Sequence, residues 1–400
     1  MRRRSVLAAA GAGAAALLVG GTSTAEAVTQ SSAAKAAQAA ASSGGDVPWA
    51  AASLRDLAAK IGLRVGSALT PQDIETASYA AIAGGQFSTV TPANGMKWQI
   101  VEPTQGTYDW SQADELVNFA HKNNQLIRGH CLIWHNQLPT WLTDGVANGS
   151  ITSAQLMALA QKHITTEVTR FRGKIWQWDV CNEFFTDANP SQLDPTNWWI
   201  KNAGPDIIPN AFKWAHAADP NALLFFNDYN ITGEDGSNAK SDAVYAYVKQ
   251  LLADGVPIHG VGSQGHLDTQ YGWNPALVRQ DLERFASLGL KVAITEADVR
   301  TFVNNATDQV PTDNLALFAH PYEYSEMLKA ALAVPECISF TVWGFTDSDS
   351  WVPGTFAGEG YAAIYDVNQK PKAAYYALQS DLALAAYGAP NRVRTYTPRS

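Results

Sequence analysis

From Pro48 onward the chain alternates between two hydrophobic patterns. Short apolar, β-branched runs are separated by longer stretches in which apolar positions recur every three or four residues, with Gly or Pro at the joins. The short runs predict eight strands: Arg64–Leu69, Ser88–Thr91, Leu126–Trp134, Ile175–Cys181, Leu223–Asn227, Gly260–Gln264, Val292–Thr295 and Ile338–Trp343. The longer stretches predict intervening helices, among them Trp110–Asn123, Ala154–Phe171, Asn210–Ala217, Asp242–Asp254, Pro275–Leu288 and Pro321–Leu332. Regular alternation of strand and helix implies a parallel sheet. Eight such units close a (β/α)8 TIM barrel, here one domain spanning 48–385; an open doubly wound sheet is the competing arrangement.

The ends of the chain read differently. Arg2, Arg3 and Arg4 precede an uncharged run from Val6 to Gly20, and Ala25-Glu26-Ala27 follows as a cleavage site. A run of 15 residues is too short to span a bilayer, so 1–27 is expected to be a twin-arginine-like signal peptide and the protein to be secreted and extracellular. Residues 28–47 are rich in Ala and Ser and read as a flexible spacer, and 386–400 as a loosely ordered tail.

Composition narrows the partners. Of 400 residues, 46% are hydrophobic and 16% charged, a globular balance. The net charge of −9 opposes phosphate backbones and anionic membranes, so neither nucleic acid nor a membrane is expected as a partner. The 13 Trp, 14 Tyr and 14 Phe offer flat apolar faces of the kind sugar rings stack on, although most such rings in any fold serve the core. Cys131, Cys181 and Cys337 show no metal spacing. Three buried thiols are expected, with a Cys131–Cys181 disulfide across neighbouring strands as the alternative. No metal or cofactor is expected, because the eight His residues form no H-E-x-x-H or comparable pattern. Gly260-Val261-Gly262-Ser263-Gln264-Gly265 fits G-x-G-x-x-G, but His266, Leu267 and Asp268 follow it where a helix should start, which argues against dinucleotide binding. Nothing in the sequence suggests an oligomer, and a monomer is expected.

In a barrel of this kind, chemistry collects where strands end. Polar and aromatic residues do accumulate there: Asn94 and Lys97, His130 and Trp134, Asn182 and Glu183, Asn227 and Asp228, Gln264 and His266, Glu296, and Trp343. Asp and Asn at such positions are often only caps, but Glu, His and Trp are not explained that way. Two carboxyls facing one bond are what glycoside hydrolysis needs, one holding a proton and the other staying ionised. Glu183 closes the aromatic strand Trp176-Gln177-Trp178-Asp179-Val180-Cys181-Asn182, an apolar setting that suits the proton carrier. Glu296 ends Ala293-Ile294-Thr295 and should stay ionised, with His266 and Gln264 as donors.

At these residues the chain resembles the glycoside hydrolase family 10 xylanases. The family's W-D-V-V-N-E stands here as Trp178-Asp179-Val180-Cys181-Asn182-Glu183, and its I-T-E-L-D as Ile294-Thr295-Glu296-Ala297-Asp298. Met96-Lys97-Trp98, Arg128-Gly129-His130-Cys131-Leu132-Ile133-Trp134-His135, Asn227-Asp228-Tyr229-Asn230, Gly262-Ser263-Gln264-Gly265-His266 and Trp343-Gly344 match further segments, over roughly 50–382. The resemblance implies a retaining endo-β-1,4-xylanase with Glu183 as acid/base and Glu296 as nucleophile. Retention needs carboxyls about 5–5.5 Å apart. It further implies that Asn182 binds the 2-hydroxyl of the −1 sugar and that His130 and Lys97 bind its other hydroxyls. Asn94 and Gln137 would reach the −2 sugar, and Trp134, Trp343 and Trp351 would wall the glycone site. His266 would orient the nucleophile, and Tyr229 and Gln264 complete the substrate-binding set. The substrate implied is xylan or a related β-linked polysaccharide or oligosaccharide.

One position departs from the family. T-x-E-N-x-M-K-W becomes Thr91-Pro92-Ala93-Asn94-Gly95-Met96-Lys97-Trp98, so the glutamate that would bind the −2 sugar is a methyl group. This keeps open a relative acting on another β-glycoside, such as a tomatinase-like enzyme on a steroidal glycoside. A non-catalytic carbohydrate-binding barrel is the alternative of another class, and it would be expected to have lost one of the two carboxylates.

Overall fold

The computed structural model describes residue 49 and residues 51–271 and 273–388. The expected signal peptide (1–27), the spacer (28–47) and positions 389–400 of the tail lie outside the described residues. Eight strands form the framework: β1 (Arg64–Leu69), β2 (Thr89–Pro92), β3 (Leu126–Trp134), β4 (Ile175–Asn182), β5 (Leu223–Asp228), β6 (Gly260–Ser263), β7 (Lys291–Phe302) and β8 (Cys337–Val342). Each pairs in parallel with the next, and β8 pairs with β1, so the sheet closes. The closed (β/α)8 barrel replaces the open sheet as the architecture.

Local chemistry sets the helices around it. Thr152 and Gln155 form a capping box that opens the helix Ser153–Arg170. Asn274 caps the helix Pro275–Ala286, where Pro275 occupies a first-turn position that needs no N–H donor. Expected helix boundaries also shift. The helix expected to start at Pro321 starts at Ala316 and carries Pro321 inside it, although proline there forfeits one helical hydrogen bond. The last helix, Ala373–Gly388, runs three residues into the stretch read as a tail.

The main core lies between barrel and helices. A second apolar cluster joins Trp176 of β4, Phe225 of β5, Ala293 of β7 and Ile338 of β8. Strands from opposite sides of a barrel meet only through its interior, so these side chains plug it. Cys131, Cys181 and Cys337 are buried and form no disulfide with one another, and the register sets Cys181 opposite Ile133, not Cys131. Among the described residues no helix is long and apolar enough to cross a membrane.

Packing between β3 and β4 is tight where Gly129 faces Trp178. A Cβ at Gly129 would collide with the indole ring of Trp178. Gly129→Ala is therefore expected to lower stability by about 1–3 kcal/mol in chemical denaturation, the usual cost of overpacking. An unchanged denaturation midpoint would show that the two strands re-space freely.

Candidate active site

At the C-terminal ends of the strands lies a cleft of about 890 Å³. Its wall includes every residue the sequence reading put forward for catalysis or substrate binding: Glu183 and Glu296 with Asn94, Lys97, His130, Trp134, Gln137, Asn182, Tyr229, Gln264, His266, Trp343 and Trp351; Asn227 and Asp228, also noted at strand ends, are buried behind it. Two carboxylates thus open into one cavity, but from different backbone settings.

Glu183 follows the last residue of β4 and adopts φ +60°, a left-handed conformation that a non-glycine residue holds only when its neighbours enforce it. The enforcement is visible. Its N–H donates to the Asn227 carbonyl at 3.0 Å, and its own carbonyl accepts the Asn197 side-chain amide at 3.0 Å. The carboxylate accepts the Trp134 indole N–H at 2.7 Å and the Gln264 amide at 2.9 Å. The His135 ring stands 4.0 Å away, and the side chain is 17% exposed.

Glu296 was expected to end its strand, and the structure corrects this. β7 continues to Phe302, past the barrel rim, pairing with the short strands His266–Asp268 and Glu359–Gly360. The register between β7 and β8 slips between Ile294 and Ala297, and this irregularity spans Glu296. Bulges of this sort re-aim a side chain.

The Glu296 carboxylate accepts the Asn227 amide at 2.9 Å and lies 3.4 Å from the Arg128 guanidinium, 3.6 Å from His266 Nε2 and 4.0 Å from His130 Nδ1. Burial disfavours its anion. The His266 contact and the fields of His130, Arg128 and His266 outweigh burial and hold its pKa far below the usual carboxylate range. Burial likewise disfavours the His266 cation, but Asp298 at 2.9 Å and Glu296 push its pKa up to about 10.

The expected donor set needs one correction. Gln264 gives its side-chain amide to Glu183, and only its backbone carbonyl serves Glu296, accepting that residue's N–H at 2.8 Å. The two carboxylates are therefore linked through amides: Asn227 donates to Asn182 and to Glu296, while Gln264 reaches Asn182 and Glu183.

Along one flank of the cleft, Asn94 accepts from Lys97 at 3.2 Å and from Gln137 at 3.1 Å, and the Lys97 ammonium lies 4.5 Å from the Trp134 ring centre. Burial lowers the Lys97 pKa, with Cys131, Glu296 and Glu183 pulling the other way. Trp343 meets His130 edge-on at 5.1 Å, and Trp351 meets His266 likewise while donating its N–H to Asp298 at 2.7 Å. Across the cleft, the Tyr229 hydroxyl donates to Asp187 at 3.0 Å and its ring covers the Lys240 ammonium at 3.3 Å.

Comparison with known proteins decides the family. The model of glycosyl hydrolase family 10 matches residues 53–381. The chain belongs to glycosyl hydrolase family 10. It is 38% identical to endo-1,4-beta-xylanase B of Thermotoga neapolitana over 84% of this chain and 91% of that one. It is 36% identical to an endo-1,4-beta-xylanase of Agaricus bisporus, over 82% and 94%. Among solved structures, native xylanase 10B from Thermotoga maritima superposes with a TM-score of 0.77 at 37% identity, covering 84% of this chain and 99% of that one. Xylanase 10B from Thermotoga petrophila, solved in complex with xylobiose, gives 0.76 at 38%, covering 82% and 97%.

Within this family 10 fold, four residues beneath the cleft were not picked out as site residues. Arg128, 1% exposed, pairs closely with Asp179 and donates to the Thr295 carbonyl at 2.8 Å. Asp179 Oδ2 in turn sits 2.8 Å from His130 Nδ1. Asn227 and Asp298 complete the group through the contacts above. An arginine and an aspartate inside apolar strands were the available signal, since a buried charge needs a partner.

Taking away His266 removes a contact and a positive charge from Glu296. His266→Ala is therefore expected to raise the pH at which Glu296 titrates by about one to two pH units, read by ¹³C NMR of the labelled carboxyl. An unmoved titration would assign the whole effect to Arg128, His130 and Asn227.

Proposed function

We propose that this chain is a secreted endo-1,4-β-xylanase that hydrolyses xylan with retention, Glu183 acting as acid/base and Glu296 as nucleophile. The observation that carries this reading is the asymmetry of the two carboxylates in one cleft. Glu296 is held ionised beside Arg128 and His266. Glu183 meets the neutral N–H donors of Trp134 and Gln264. Xylanase relatives spanning most of the chain support the substrate class. Export rests on the arginine-led segment at positions 1–27.

In the first displacement a Glu296 oxygen attacks the anomeric carbon, and the bond from that carbon to the leaving oxygen breaks. Glu183 delivers its proton to that oxygen, and a glycosyl ester remains on Glu296. In the second, water attacks the same carbon while Glu183 takes back a proton, and the ester bond releases Glu296. Asn182, fixed by Asn227 and Gln264, would bind the 2-hydroxyl of the −1 sugar. His130 and Lys97 would hold its other hydroxyls, and Asn94 and Gln137 the next sugar. Trp134, Trp343 and Trp351 would wall the glycone site. His266 would fix the Glu296 rotamer from its seat on Asp298.

Glu296→Gln is expected to abolish turnover of xylan with the fold intact by circular dichroism; near-normal rates would remove it as nucleophile. Glu183→Gln is expected to cost on the order of 10²–10⁴-fold on xylan. An aryl xylobioside with a good leaving group should lose far less in its first step, because that leaving group needs little protonation. Equal losses on both substrates would count against general acid catalysis by Glu183. With the unaltered protein, the first product seen by ¹H NMR should be the β-anomer, and the α-anomer would exclude retention.

A further inference from the structure

Between the ends of β1 and β2 the cleft continues into a recess that none of the steps above uses. Its wall is formed by Ala68, Thr70, Asp73, Tyr79, Ala93 and Asp349. The Ala93 N–H donates to the Leu69 carbonyl at 2.9 Å, which seats Ala93 beside Thr70. Ala93 also directly precedes Asn94, itself bonded to Gln137, so the recess adjoins the glycone end of the cleft. Two methyl groups, from Ala68 and Ala93, leave the space open on that side.

Behind them stands Tyr79, on the helix Ala77–Gln86, its ring packed on Phe345 at 4.2 Å between centres. Tyr79 is 2% exposed, and its hydroxyl has no hydrogen-bond partner in the protein. Tyr79 lines the recess together with Asp73 and Asp349, and after burial the fields of those two carboxylates hold its hydroxyl in the protonated, donating form. A buried O–H left unpaired costs about 1–3 kcal/mol, which marks this donor as set aside for a ligand. Acceptors for a ligand's own hydroxyls stand opposite. Asp73 spends Oδ2 on the Thr70 N–H at 2.7 Å and keeps Oδ1, and Asp349 lies at the exposed mouth.

We propose that this recess binds a neutral, hydroxyl-bearing sugar branch carried by the glycone part of the chain being cut. One phenolic donor, two carboxylate acceptors and two methyl walls suit a furanose or pyranose bearing only hydroxyls. A uronic acid branch would bring a third negative charge against Asp73 and Asp349. This reading deepens the proposed function and rests on it.

The test compares kcat/KM on three xylo-oligosaccharides: unbranched, carrying one arabinosyl branch, and carrying one glucuronosyl branch. Product mapping identifies the cuts that leave the branch on the second glycone sugar. For those cuts, Tyr79→Phe is expected to lower the arabinosyl-to-unbranched ratio about fivefold, the worth of one neutral hydrogen bond. Ala93→Glu, which fills the recess and adds a charge, is expected to lower that ratio further. The glucuronosyl branch at the same position should be cut more slowly than the unbranched chain in the unaltered enzyme. A ratio unchanged in both variants, or equal tolerance of both branches, would overturn the recess. Failure to cut any of the three substrates would overturn the proposed function itself, and the recess with it.

Discussion

A guanidinium locked inside a closed barrel governs how the charges of this cleft can be arranged. Arg128 is 1% exposed, and its cation has no access to solvent that could screen it. A buried charge of this kind is tolerated only when paired and hydrogen-bonded. Asp179 and the Thr295 carbonyl provide that pairing, and Glu296 shares the remaining field. The polarity of the cleft floor is therefore settled beneath the surface a sugar would touch. Glu296 remains an anion because the His266 contact and the fields of His130, Arg128 and His266 together outweigh the cost of its burial.

The second carboxylate differs because its backbone differs. Glu183 sits beyond the last residue of β4 in a left-handed conformation and reaches neutral donors, whereas Glu296 lies within β7 at a register slip and opens into the same cleft. The Asn182, Asn227 and Gln264 amides tie the two together. An amide both donates and accepts, so it can link two carboxyls without adding a charge that would push both toward the same protonation state. The double displacement proposed above would require such a separation of environments within a short distance.

Much of this was legible in the sequence, for identifiable reasons. The eight strands were readable because parallel strands buried on both faces appear as short continuous apolar runs. The strand-end residues were readable because Glu, His and Trp are poor caps, so their recurrence there called for another explanation. What stayed hidden depends on three-dimensional neighbours. The extension of β7 to Phe302 relies on pairing with His266–Asp268 and Glu359–Gly360, and no local pattern announces either partner. Likewise, Gln264 could have served either carboxylate from its strand, and only the geometry assigns it to Glu183. Pro321 reads as a helix start by local rules, yet packing carries the helix through it.

The departure at Ala93 gains meaning from where it falls. The charged floor is built from residues within β3, β4 and β7, and every member is tied to at least one other. A change there would strand a buried charge. Ala93 lies just past the end of β2, half-buried, bonded through its backbone N–H, with its side chain toward open space. An alanine at that rim leaves no floor residue unpaired, so the network that sets the two cleft carboxyls does not depend on this position. An alanine there also adds no negative group to a wall that already carries Asp73 and Asp349. Groups anchored within the strands and groups placed at their tips can therefore vary independently, and Ala93 stands at a tip.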